Sequence, residues 1–63
     1  SLIIGTNVFI APEKTCKNKN CNAAMGYTGK ILDIDITKRR SIFVTVHNPP
    51  YLARVHPECI QVI

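Results

Sequence analysis

No run of this chain is apolar for long enough to cross a bilayer, and its N-terminus lacks a basic segment followed by an apolar stretch and a cleavage site. These absences predict a soluble, cytoplasmic protein with no membrane partner. Ser1 and Leu2 are read as a remnant of expression and carry no functional claim. Carboxylates are scarce, with only Glu13, Asp33, Asp35 and Glu58 present. They are too few and too scattered for a metal-dependent nuclease centre, and Asp33 and Asp35, on one strand face, read as a solvated edge before an acid/base dyad. Internal repeats and low-complexity tracts are also missing. With 46% hydrophobic residues and a mean hydropathy of +0.09, the composition is that of a folded chain.

Three cysteines cannot all pair within one chain. The odd count argues against a secreted disulfide framework and for free thiols or a metal site. The 63 residues make one domain, 1–63, that buries only ~60% of its unfolded surface, so the core is thin and a large internal active site is not expected. A net charge of +4 and a pI near 9.3 admit nucleic acid, DNA or RNA, or an acidic protein surface as partner.

Alternation sets out the strands. Asn7 to Ala11 puts Val8 and Ile10 on one face, and Pro12 stops the strand because proline has no donor for the ladder. Glu13 to Met25 then reads as a long polar first loop bearing Lys14, Lys17, Lys19, Cys16 and Cys21. A loop of that length in so small a domain is usually functional or held by something. A second strand begins near Gly26 or Gly29. Ile31 and Ile34 are three apart, so a bulge near Leu32-Asp33 is needed to point both inward, and it bends the strand. Thr37-Lys38-Arg39-Arg40 is a turn. Ser41 to His47 is the third strand, with Ile42, Val44 and Val46 inward and Phe43, Thr45 and His47 outward. Pro49-Pro50 makes a rigid turn before a fourth strand, Tyr51 to Val55. His56-Pro57-Glu58-Cys59 reads as one 3₁₀ turn, and Ile60 to Ile63 closes as a fifth strand. Val8, Ile31, Ile34, Ile42, Val44, Val46 and Ile60 are the expected core.

Five strands, a long first loop, two short turns and a helical turn before the last strand follow the order of an SH3-like barrel. At Gly29-Lys-Ile31-Leu-Asp-Ile34-Asp35, Lys38-Arg39-Arg40 and Ile42-Phe-Val44-Thr-Val46 the chain resembles the KOW-type domains of NusG-like transcription factors and some ribosomal proteins. It also resembles small free-standing SH3-like proteins of bacteria and their phages. The resemblance implies an all-β, five-stranded barrel in which Gly29 lets the backbone turn beside the first loop. The cysteine- and lysine-bearing first loop departs from the compact loop of that family, and a shared fold does not carry function with it.

Two constellations bear on chemistry. Cys16-x₄-Cys21 and His56-x₂-Cys59 offer four soft or borderline ligands in two pairs, suited to a tetrahedral structural zinc that would anchor the first loop. The alternative reads Cys59 as a small buried residue, and Cys16 and Cys21 as a reduced pair or a disulfide formed in purification. Separately, Lys14, Lys17, Lys19, Lys38, Arg39 and Arg40 lie in two loops that flank one groove in such a barrel and can converge on phosphates. Tyr27 and Phe43 are candidate stacking rings on bases. Alternatively, the lysines merely solubilise and the outward rings, with Phe9 and Tyr51, meet another protein. Catalysis is set aside, since a nucleophile and base seldom meet correctly on one tight turn and no third group orients Cys59 and His56. The expectation is a small non-catalytic module that binds nucleic acid, or else a protein-interaction or assembly module that forms a homodimer.

Overall fold

Antiparallel pairing follows the alternation closely. The computed structural model describes residues 2–63, and strands form at β1 (Asn7–Ile10), β2 (Thr28–Ile36), β3 (Ile42–Asn48), β4 (Tyr51–Val55) and β5 (Ile60–Val62). They make one sheet in the order β4-β3-β2-β1-β5, with every neighbouring pair antiparallel. The fold is therefore all-β, and the sheet is open between β4 and β5. Its extents of 27 × 23 × 22 Å are nearly equal, so the sheet curls around its core instead of lying as a slab. Among the described residues, no helix is long and apolar enough to cross a membrane.

The curl begins at the expected bulge. Ile31 pairs with Val46 and Asp33 with Thr45, so Leu32 is the extra residue, and Ile34 opposite Val44 returns to the inner face. Val8, Ile10, Ile31, Val44, Val46 and Val55 form the core with Cys21, Ala24 and Cys59, while Ile34 and Ile60 pack against it half-buried. Ile42 departs from the expected core. Its parity is inward, yet it remains 44% exposed opposite the exposed Ile36. The reason is strand length: β1 pairs only with Thr28 to Lys30, so no strand covers the far end of the β2–β3 hairpin, and Ile42 faces the His56–Glu58 segment only across a shallow hollow. Phe9 and Phe43 keep partial access to solvent.

The first loop is more ordered than a polar loop. It contains a short helix, α1 (Lys19–Ala23), capped by Asn18, whose side-chain oxygen accepts from the N–H groups of Asn20 and Cys21. Cys21 and Ala24 turn inward from it, so the helix fills space beside β4 that the open sheet leaves uncovered. A 3₁₀ turn spans Pro57–Cys59, with proline at its start where a missing N–H costs nothing. The two glycines divide their duties differently from the expectation. Gly26, at φ 86, makes the turn out of the first loop, whereas a Cβ on Gly29 would meet the His47 carbonyl oxygen and Val46 Cγ1, both at 2.8 Å. Gly29 is required by close packing.

Urea denaturation should separate these roles. Val44→Ala should cost about 2 kcal/mol or more through lost burial and a cavity, while Ile42→Ala stays within about 0.5 kcal/mol of the parent. Gly29→Ala should cost roughly 1–3 kcal/mol because neither backbone nor Val46 can give way freely.

Candidate metal centre and basic face

The two chemistry-bearing segments meet at one end of the core. Strand β4 delivers His56 to the start of the 3₁₀ turn, the turn carries Cys59 inward, and the segment leading into α1 brings Cys16 and Cys21 against them. The ligand atoms of Cys16, Cys21 and His56 all lie within 4.8 Å of one another. Cys59 Sγ donates to Cys16 Sγ at 3.6 Å but is not one of this mutually close set, so three of the four expected ligands are grouped and the fourth touches one of them. All three cysteines are free thiols.

These distances exclude a disulfide and leave a metal site and packed reduced thiols. A disulfide would bring two sulfurs to about 2.05 Å, far shorter than the 3.6 Å between Cys16 and Cys59. Tetrahedral zinc with Zn–S bonds of about 2.3 Å sets its sulfurs about 3.8 Å apart and a sulfur and an imidazole nitrogen about 3.5 Å apart. Cys16, Cys21 and His56 are thus close enough to be three ligands of one metal ion, while 3.6 Å is also the ordinary contact distance of two packed reduced thiols. The chemistry of the donors fits as well, since thiolates and imidazole are what zinc prefers over oxygen ligands.

Secondary contacts orient the donors. The His56 backbone N–H donates to Cys21 Sγ at 3.3 Å, which fixes the sulfur against the start of the 3₁₀ turn. His56 Nε2 lies 3.4 Å from Asn18 Nδ2, and Nδ1 lies 3.5 Å from the Glu58 carboxylate. Whichever ring nitrogen faces a metal gives up one of these contacts and keeps the other as an outer support. Burial first, and then the neighbouring Cys16 and Cys21 thiols, push the Cys59 thiol up to about 12. A metal bound there would be held by Cys16, Cys21 and His56 and would favour the deprotonated form of the thiols that ligate it.

The basic face lies beside the same turn. Lys14, Lys17, Lys19, Lys38, Arg39 and Arg40 are all exposed, and among the described residues none enters an ion pair. Arg40 lines a shallow hollow with Ser41, Ile42, His56, Pro57 and Glu58, while Asn18, between Lys17 and Lys19, reaches His56 from the other loop. The His56–Glu58 segment therefore stands between the two basic loops. Arg40 also holds a left-handed backbone at φ 61, unusual for a residue that is not glycine.

The rings are arranged differently from each other. Tyr27 is exposed and tilted against Tyr51 at 5.6 Å. Phe43 has Arg54 over its ring at 4.4 Å and His56 tilted against it at 5.0 Å, and Arg54 reaches on to Asp35 at 2.6 Å. Sequence reasoning singled out neither Asn18 nor Arg54. An asparagine three residues before a buried Cys21 is a legible helix-cap signal; Arg54 meets Phe43 only across the sheet. Comparison with protein-family models, with curated proteins and with solved structures finds no match for this chain.

Asn18→Ala should cost about 1 kcal/mol by removing the cap, read by chemical denaturation, and Asn18→Ser should recover most of that loss. Equal losses in the two variants would assign the effect to the contact with His56 and not to the cap.

Proposed function

We propose that this chain is a small non-catalytic binding module that engages nucleic acid through its basic loops, with the first loop held by a structural zinc ion. The observation that carries the reading is the His56–Cys59 segment, where the sulfur cluster and both basic loops come together. Cys16, Cys21, His56 and Cys59 would hold the zinc, which supplies a fixed cross-link between the first loop and the turn before β5. A core this thin gains from such a link. The strand order, with β5 beside β1 and a 3₁₀ turn before β5, supports an SH3-like barrel of the KOW kind.

In this reading Lys14, Lys17, Lys19, Lys38, Arg39 and Arg40 contact phosphates. The left-handed backbone at Arg40 fits the reading, because such strain is commoner at ligand-contacting positions than elsewhere. Tyr27 is the freer ring for a base. Phe43 serves by holding Arg54 and His56, since its neighbours already occupy it. A protein-interaction or assembly role is the second reading. It is favoured by exposed Tyr51 and Leu52 on the β4 edge and exposed Val62 at β5, where a second copy of the chain can add to the sheet.

Metal analysis of protein purified under reducing conditions should find near one zinc per chain, and cobalt substitution should give the intense visible bands of a tetrahedral thiolate site. Failure to retain zinc, together with no cobalt spectrum, would sink the metal half of the proposal. For the nucleic-acid half, changing Lys38, Arg39 and Arg40 together to glutamine should weaken binding to all sequences alike. The slope of log K against log salt should become shallower by roughly two to three units, at ~0.7 per contact for a single strand or ~0.9 for duplex. An unaltered slope, or a parent that binds neither DNA nor RNA at low salt yet dimerises with concentration, would favour the second reading. Arg40→Gly should raise stability by up to about 1 kcal/mol while lowering affinity, a trade that a merely solubilising arginine would not show.

A further inference from the structure

The three thiols are not equivalent. Cys21 and Cys59 have no solvent exposure, whereas Cys16 is half-buried and open to small solutes. Cys59 Sγ touches Cys16 Sγ at 3.6 Å and also lies beside Cys21, but Cys21 is fully buried and its sulfur is engaged by the His56 N–H. Neither Cys16 nor Cys59 lies within a β-strand. One precedes α1 and the other ends the 3₁₀ turn, so the sulfurs can close the remaining ~1.5 Å to a bond length without breaking the sheet. An accessible thiol poised against a buried partner is the arrangement that oxidation converts to a disulfide before it goes further.

We propose that Cys16 and Cys59 are a peroxide-responsive pair, Cys16 being the sulfur attacked and Cys59 the thiol that resolves it, with Cys21 left reduced. Cys16 sulfur attacks one oxygen of a hydroperoxide; the O–O bond breaks, water or an alcohol leaves, and Cys16 becomes a sulfenic acid. Cys59 sulfur then attacks Cys16 sulfur, the S–O bond breaks, and the hydroxyl leaves as water with the Cys59 proton. Two thiols have given two electrons to one peroxide. The new bond spans 43 positions in sequence, so it ties the first loop to the turn before β5 as the zinc does. Two of the four ligands are consumed, and the metal is released. That last consequence rests on the zinc reading above; the disulfide does not.

The test uses the reduced full chain as purified, with one equivalent of hydrogen peroxide added without air. Free thiols should fall from three to one per chain. Peptide mapping should find Cys16 joined to Cys59 within one chain and Cys21 alkylated, and a chromogenic chelator should detect one zinc released per disulfide. In Cys59→Ser, a dione probe should trap the Cys16 sulfenic acid, which thiol reagents reverse. The peptide map of the parent needs no variant to fold. Cross-linking chiefly of Cys16 to Cys21, cross-links only between chains, or three thiols surviving peroxide would overturn the proposal. A chain that carries no zinc yet joins Cys16 to Cys59 removes the metal and keeps the thiol pair; a zinc-loaded chain whose thiols resist peroxide does the reverse.

Discussion

The contact between the first loop and the turn before β5 is what the rest of this molecule leans on. A curled sheet of five strands whose outer members, β4 and β5, do not pair leaves one side of its core open. That side is filled by Cys21 and Ala24 from α1 and by Cys59 from the 3₁₀ turn. Backbone bonds bind the seam: Ala11 donates to the Cys59 carbonyl at 2.7 Å, and His56 donates to Cys21 Sγ at 3.3 Å. The helix has only five residues, too few to persist on its own, so it exists because Asn18 caps it and the core accepts its inner face.

The same seam concentrates the chemistry. Burial, and then the neighbouring Cys16 and Cys21 thiols, disfavour ionisation of Cys59 and push its thiol up. In the structure the three thiols are free and packed at the core, and their contact already joins the loop to the turn. Arg40 from the β2–β3 turn lines the hollow beside this point, and Asn18 of the first loop reaches it from the other side.

On the outer face a second chain of contacts runs from Asp35 through Arg54 and Phe43 to His56. Arg54 and Asp35 are each about half exposed, with side-chain accessibilities of 47% and 51%, so their pairing alone adds little to stability. Its larger effect is geometric. Stacking of Arg54 on Phe43, and of Phe43 against His56, restrains the imidazole from the solvent side while Asn18 restrains it from the loop side.

Alternation by itself determined the strands, the inner faces of Val8, Ile10, Val44 and Val46, the bulge at Leu32 and the 3₁₀ turn, because strand parity and turn chemistry are local properties of consecutive residues. It also marked Cys16, Cys21, His56 and Cys59 as a ligand set by residue type. Their meeting is a tertiary fact, joining positions 35 to 43 apart through the curl of the sheet. The helix inside the first loop was hidden because five residues carry too little periodicity to register. Ile42 had the right parity and the wrong depth, since burial depends on what covers a strand end and not on which way it faces. Gly29 was legible as a necessary glycine, but only the approach of Val46 and the His47 backbone showed that space, and not a turn, is why no side chain fits there.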